Sequence, residues 1–336
     1  MRKLLLIAFG VLGLGLIVIV TLVLSSFLRG PTDEKIFQED TSIFRKGVSY
    51  SPKNPISNRD FWEKAKDAGS VVRSGGDWID FNADGKISET VVEFSRQNGL
   101  LPIIEVNFFN QDTGELLRPF TEENKNAYKA AAVDFANRFK PPYFGIGVEI
   151  DTFERKVPGE FDVFAALFAE VYDAIKEVSP ATQVFTTFQY ERLNGFGGGI
   201  FGGTNDPSAA DWQLLDKFPK ADFISFTTYP GLIYKNPSDI PADYYSRIKN
   251  HTGKPVAFTE IGWFSGANIP GWGSSEAEQA EFINRFFELT SSLDLQLAVW
   301  IHIYQQISTE PFATMSLIRT DGIAKPAWSV WVETSR

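Results

Sequence analysis

The chain has no cysteine, and its 336 residues include only 2 methionines and 2 histidines. Without cysteine there is no disulfide, no thiolate metal site and no lipid-modified cysteine anchor, so the core alone must stabilise the fold. His251 and His302 stand alone, without metal-ligand spacing, which argues against a zinc site and a Ser-His-Asp relay. An excess of positive charge is also lacking: 32 Lys and Arg face 42 Asp and Glu, a net charge of −10. Such a surface repels nucleic acid and favours a neutral ligand. The stretch from Asn194 to Gly203 holds 6 glycines but lacks the Gly-Lys-Ser/Thr ending of a phosphate cradle, so a mobile rim loop is expected and no cofactor is called for.

What is present begins with an apolar run. Leu4 to Leu28 contains no charged residue, and at ~1.5 Å per residue it exceeds the ~30 Å hydrocarbon core of a bilayer. Residues 1–30 therefore read as a membrane anchor, with 4–28 as its transmembrane helix. Arg2 and Lys3 precede the run, whereas Arg29 is soon followed by Asp33 and Glu34, which puts the N-terminus in the cytoplasm and the remainder outside the cell. Cleavage near Ser25 and Ser26 would instead give a secreted form. Residues 31–45 read as a stalk, and 46–336 as one monomeric domain of a length suited to a single α/β barrel.

Beyond the stalk, apolar strand-like runs alternate with amphipathic helical patterns, the signature of a parallel sheet covered by helices. Strands are predicted at 46–51, 70–74, 101–107, 143–150, 183–189, 221–228, 255–261 and 295–302. Helices are predicted at 59–68, 86–98, 121–139, 159–178, 208–217, 241–251, 274–292 and 325–333. This is the (β/α)8 TIM-barrel count, and in such barrels chemistry sits at the C-terminal ends of the strands. Glu149 and Glu260 fall at two of those ends. By the two-residue period of a strand, Gly145, Gly147, Glu149 and Asp151 share one face, so Glu149 is expected to point into the barrel mouth. Two carboxylates from strands distant in sequence are the minimal kit for cleaving a glycosidic bond.

With its glutamates ending strands four and seven, the chain resembles the retaining glycoside hydrolases of clan A over roughly Gly47 to Trp331. Thr259-Glu260-Ile261-Gly262-Trp263 is similar to the nucleophile motif of the β-1,3-glucanase and β-1,4-galactanase families. Arg73 on strand two, Tyr229-Pro230 ending strand six and Trp300 ending strand eight add to the likeness, as does the tail from Asp321 to Trp328.

The resemblance implies that Glu260 is the nucleophile and Glu149 the acid/base, acting on a β-linked carbohydrate. It further implies that Arg73 and Tyr229 hydrogen-bond Glu260, and that Trp300 floors the subsite beside the scissile bond. One departure stands out. Where most of the clan places an asparagine that binds the sugar 2-hydroxyl, this chain has Val148, which leaves Asn107 at the tip of strand three as the replacement donor.

Asp151 is expected to raise the pKa of Glu149 by like-charge repulsion and to contact the substrate, and Glu105 and Glu191 to reach the mouth as substrate-binding or alternative acid groups. Trp62, Trp78, Trp212, Trp263 and Trp272 fall near presumed loops, where indoles stack on sugar rings; Trp263 is counted with the substrate contacts, and some of the five with the core. Asp80 to Ser88 imitates half of an EF-hand, but Val91 stands where the bidentate glutamate belongs, so no calcium is expected. A carbohydrate-binding barrel without catalysis, or a transglycosylase of surface glycans, fits the same residues.

Overall fold

The computed structural model describes residues 43–54, 58–78, 87–111, 113–266, 269–306 and 309–335. The anchor 1–30, the stalk as far as Thr41 and Ser42, and residues 80–86 of the aspartate-rich turn lie outside the described residues. Among the described residues no helix is long and apolar enough to cross a membrane.

Eight parallel strands close into a barrel in sequence order: β1 Arg45–Ser49, β2 Val71–Asp77, β3 Leu101–Asn107, β4 Tyr143–Ile146, β5 Gln183–Gln189, β6 Ile224–Thr228, β7 Val256–Ile261 and β8 Leu295–Trp300. The helices are α1 Arg59–Ala68, α2 Ile87–Gln97, α3 Glu122–Phe139, α4 Ile150–Lys156, α5 Pro158–Val178, α6 Tyr190–Leu193, α7 Glu276–Thr290 and α8 Pro326–Glu333. The long helices start where sequence chemistry directs. Thr121 accepts a hydrogen bond from the Asn124 amide at 3.2 Å to open α3, and Ser275 does the same for the Glu278 amide at 3.2 Å to open α7.

Strand alternation divides the apolar residues into two cores. Val71, Ile103, Tyr143, Phe185, Phe223, Leu297 and Val299 are among those that fill the barrel interior, while Val72, Ile104, Phe144, Ile146 and Trp300 pack outward beneath the helices. Gly145 is forced by this layering: a Cβ there would sit 2.4 Å from Glu105 Cγ and 2.9 Å from the Phe185 ring.

Three expectations need correction. The fourth strand ends at Ile146 rather than at residue 150, because Gly147 takes φ 88° and Glu149 φ 53° and the chain then enters α4. The charges of α4 suit a helix, with Asp151 in the first turn and Arg155 and Lys156 in the last. The helices predicted at 208–217 and 241–251 are short 3-10 segments, Trp212–Lys217 and Ser246–Asn250. Before the second of these, the adjacent Tyr244 and Tyr245 are both fully buried, whereas consecutive residues on an α-helix point ~100° apart.

β7 carries a further irregularity. Phe226 faces Phe258 across the β6–β7 ladder, yet the next residue, Thr227, faces Glu260, so Thr259 is an extra residue in β7. The β7–β8 ladder shows the same surplus, since Phe258 faces Ala298 and Ile261 faces Trp300. This is a β-bulge, a device that re-aims a side chain. Phe258 and Ile261 both pack in the outer core, while Thr259 bonds to Glu105 inside the barrel and Glu260 joins Arg73 in the mouth.

Candidate active site

The deepest layer of the mouth is a buried carboxylate. Glu105 on β3 is fully enclosed, where its Oε1 accepts from the Thr187 hydroxyl at 2.5 Å and the Thr259 hydroxyl at 3.2 Å. Its Oε2 accepts from Arg73 Nε. Glu105 was expected among the substrate contacts; it lies beneath them instead, because alternation on β3 and the gap left by Gly145 draw it into the interior.

Arg73 extends from this base to the next layer, with Nη1 2.6 Å from Glu260 Oε1. Burial alone would lower the guanidinium pKa, but the charges of Glu105 and Glu260 outweigh it and raise it. The Tyr229 hydroxyl donates to Glu260 Oε2, so both oxygens of Glu260 are engaged by the two residues expected to hold it. Gly262 follows from that contact: a Cβ would stand 2.8 Å from the Tyr229 ring and 2.7 Å from Met315 Sδ.

Glu149 occupies a different environment. Its Oε1 accepts from the Thr227 hydroxyl at 2.7 Å. The residue is half-buried. Burial, and then the charge of Glu260, push its pKa up to about 8, while the Thr227 hydrogen bond pulls the other way. Asp151 contributes a smaller rise, but not from the same strand face. It is fully buried in the first turn of α4, where its Oδ1 accepts from the Gln189 amide at 2.7 Å. The broken strand removed the alternation on which the substrate-contact assignment of Asp151 rested.

The expected indole platforms are also displaced. Trp300 is fully buried and packs against Phe282 and Trp331 with centroids 6.3 and 5.7 Å apart. Its Nε1 donates to the Met315 carbonyl at 2.9 Å. Leu297 and Val299 take the inward positions of β8, so the indole falls on the helix side. Trp263 is likewise fully buried and donates from Nε1 to Ser274 Oγ at 2.9 Å. Trp62 and Trp78 belong to the core too.

Val148 is buried and offers no donor. Asn107, at the end of β3, is half-buried with an Oδ1 that has no hydrogen-bond partner among the described residues. Glu191 lies behind the mouth, where it accepts from Thr228 at 2.7 Å and Tyr244 at 3.0 Å.

His302, just beyond β8, stands near Glu260 and Arg73, and burial lowers its pKa to about 4. Its Nδ1 has no partner among the described residues. Thr227 escaped sequence reasoning although a signal existed: Phe223 lies in the barrel interior, and Ser225 and Thr227 follow on the same face. Among the described residues no cluster of His, Asp and Glu is arranged to hold a metal ion. Two ionisable carboxyls with separated environments, one held by a cation and one desolvated, can divide nucleophile and acid roles between them.

No family model matches the chain, and no curated protein matches it. Solved structures do. A family 39 glycoside hydrolase from Bacteroides cellulosilyticus WH2 superposes with a TM-score of 0.58 at 19% identity, over 88% of this chain and 64% of that one. The exo-β-1,4-mannosidase Op5Man5 from Opitutaceae bacterium strain TAV5 gives 0.60 at 14% identity, over 88% and 61%. A GH5_18 variant from Bifidobacterium longum, in complex with Manβ1-4GlcNAc, gives 0.61 at 13% identity, over 87% and 77%. The chain thus spans less than two thirds of the first two. These likenesses establish the fold, an eight-stranded barrel that occurs in glycoside hydrolases.

Proposed function

We propose that the chain is a retaining glycoside hydrolase that cleaves a β-linked poly- or oligosaccharide outside the cell by double displacement. One observation carries this reading: Glu260 is clamped by Arg73 and Tyr229, while Glu149, near enough to feel its charge, has a pKa of about 8. In the first step Glu260 attacks the anomeric carbon and the proton of Glu149 passes to the departing glycosidic oxygen. In the second, Glu149 takes a proton from water as the water oxygen displaces Glu260, restoring both groups. The net charge of −10 favours a glycan neutral along most of its length. Residues 4–28 would tether the domain to the outer face of the membrane.

The test is nucleophile rescue. Glu260→Ala is expected to lose turnover and to regain it with azide, giving a glycosyl azide of inverted configuration. Glu149→Ala should keep substrates whose leaving groups need no proton, and azide should there give the retained product. Full activity in Glu260→Ala would remove this reading. The buried Val148, which leaves the 2-hydroxyl without its usual partner, favours a second one, a carbohydrate-binding barrel without turnover.

A further inference from the structure

Beside the mouth, α4, the end of β5 and the glycine-rich loop enclose a cavity of about 410 Å³, a size typical of small-molecule sites at ~300–1,000 Å³. The loop is tied down: Gly198 N donates to Asn205 Oδ1 at 2.9 Å and Gly203 N to the Gly197 carbonyl at 3.0 Å. Phe196 and Phe201 line the cavity, and Phe201, at 58% exposure, presents an open ring of the kind that packs on the C–H face of a sugar.

Two cations line the same cavity, Arg155 from α4 and Arg192 from α6. Arg192 is 8% exposed, and its Nε and Nη2 have no hydrogen-bond acceptor among the described residues. The nearest carboxylate, Asp151 Oδ2, is 3.7 Å from Nε, too far for a hydrogen bond. Asp206, also on the lining, has its Oδ1 occupied by the amide and hydroxyl of Ser208 at 2.9 and 2.6 Å. Burial lowers the pKa of Arg192 even against the charges of Asp151, Asp211 and Glu154. A buried guanidinium with free N–H groups is costly to keep, and its fork matches an anion that brings two acceptor oxygens.

The cavity also adjoins the chemistry. Gln189 lines it and pairs in register with Thr227, the residue bonded to Glu149. We propose that this cavity is a subsite for an acidic sugar residue, whose carboxylate or sulfate is held by Arg192 and Arg155 while its ring packs on Phe201. The proposal rests on the glycosidase reading for its place beside Glu149. It departs from the expectation of a wholly neutral glycan, because it turns on the unpartnered N–H groups of Arg192 and not on the protein's overall charge.

Titration calorimetry on the full-length chain in detergent tests it with three probes: methyl β-glucuronide, methyl β-glucoside 6-sulfate and neutral methyl β-glucoside. An anionic probe is expected to bind at least about tenfold tighter than the neutral one, as charge-assisted pairing implies. The tighter of the two anionic probes identifies the anion. The advantage should fall below about threefold in Arg192→Gln and shrink in Arg155→Gln. Arg155 is exposed, so its variant decides the matter should Arg192→Gln fail to fold.

Equal binding of all three probes by the wild type, or an undiminished advantage in the variants, would overturn the proposal. Binding requires no turnover, so the preference should persist in Glu260→Gln. Hydrolysis of neutral β-glycosides without any anion preference would sink the subsite and leave the glycosidase reading intact.

Discussion

The Thr227 hydroxyl, 2.7 Å from Glu149 Oε1, is a brake on the acid it touches. A donor stabilises the ionised carboxyl and so opposes the rise to about 8 that burial and Glu260 impose. On the proposed mechanism the first step needs protonated Glu149, and kcat/KM for substrates with poor leaving groups should then fall above pH about 8. Thr227→Val should move that alkaline limb upward. A limb that stays in place in the variant would show that another group sets it.

The same shift makes a stability prediction. Glu149 rises from 4.5 unfolded to about 8 folded, so between those values the folded state binds more protons than the unfolded one and stability falls as pH increases. Denaturant midpoints of Glu149→Gln should decline less over that window than those of the wild type. Parallel curves for the two proteins would contradict the shift.

Glu149 adopts φ 53°, a left-handed conformation that costs a non-glycine residue roughly 1–2 kcal/mol. Glu149→Gly and Glu149→Ala both lack the carboxyl and differ by one Cβ. The glycine variant should therefore be the more stable by about 1 kcal/mol in urea unfolding. Equal stability would mean that the backbone relaxes when the glutamate is removed.

Glu105 supports the mouth from below. Glu105→Ala leaves Arg73 with Glu260 as its remaining carboxylate and should cost about 3–5 kcal/mol, as when one partner is stripped from a buried pair. Any surviving activity should show reduced kcat with KM little changed, since the side chain is fully buried and touches no substrate. A raised KM at unchanged kcat would instead return Glu105 to the substrate contacts.

Truncation tests the anchor. Deleting residues 1 to about 31 removes the apolar run, which ends at Leu28, well before β1 begins at Arg45. The remainder should be a soluble monomer by sedimentation, with the unfolding midpoint of the full chain. Persistent membrane binding would disprove the anchor model.

Much of the barrel was legible because alternating runs and helical stripes report which residues are buried, and burial decides strands and helices. Arg73, Tyr229 and Glu260 were legible together through the resemblance to clan A, which sets them on or just after strands two, six and seven. Trp300 was not, since a large aromatic at a strand tip fits either side of the sheet and only the inward run Leu297 and Val299 decides which. The fourth strand failed for a local reason. The run from Tyr143 to Ile150 satisfies strand periodicity throughout, and nothing in it announces that Gly147 and Glu149 turn left-handed. The Arg192 cavity is formed by segments that meet only through tertiary packing, beyond the reach of any periodicity.

The extra residue at Thr259 behaves like a shifted reading frame. Upstream of it, β7 sends every second side chain inward; downstream, the frame has advanced by one, and Glu260 is read into the mouth instead of beneath the helices. The orientation of Glu260 thus depends on where the extra residue sits as well as on its own identity. A glutamate is easily acquired by substitution, but the frame can be changed only by insertion or deletion. The bulge lets two consecutive residues both face the interior, Thr259 reaching Glu105 below and Glu260 reaching Arg73 in the mouth, which a regular strand with its alternating faces does not allow.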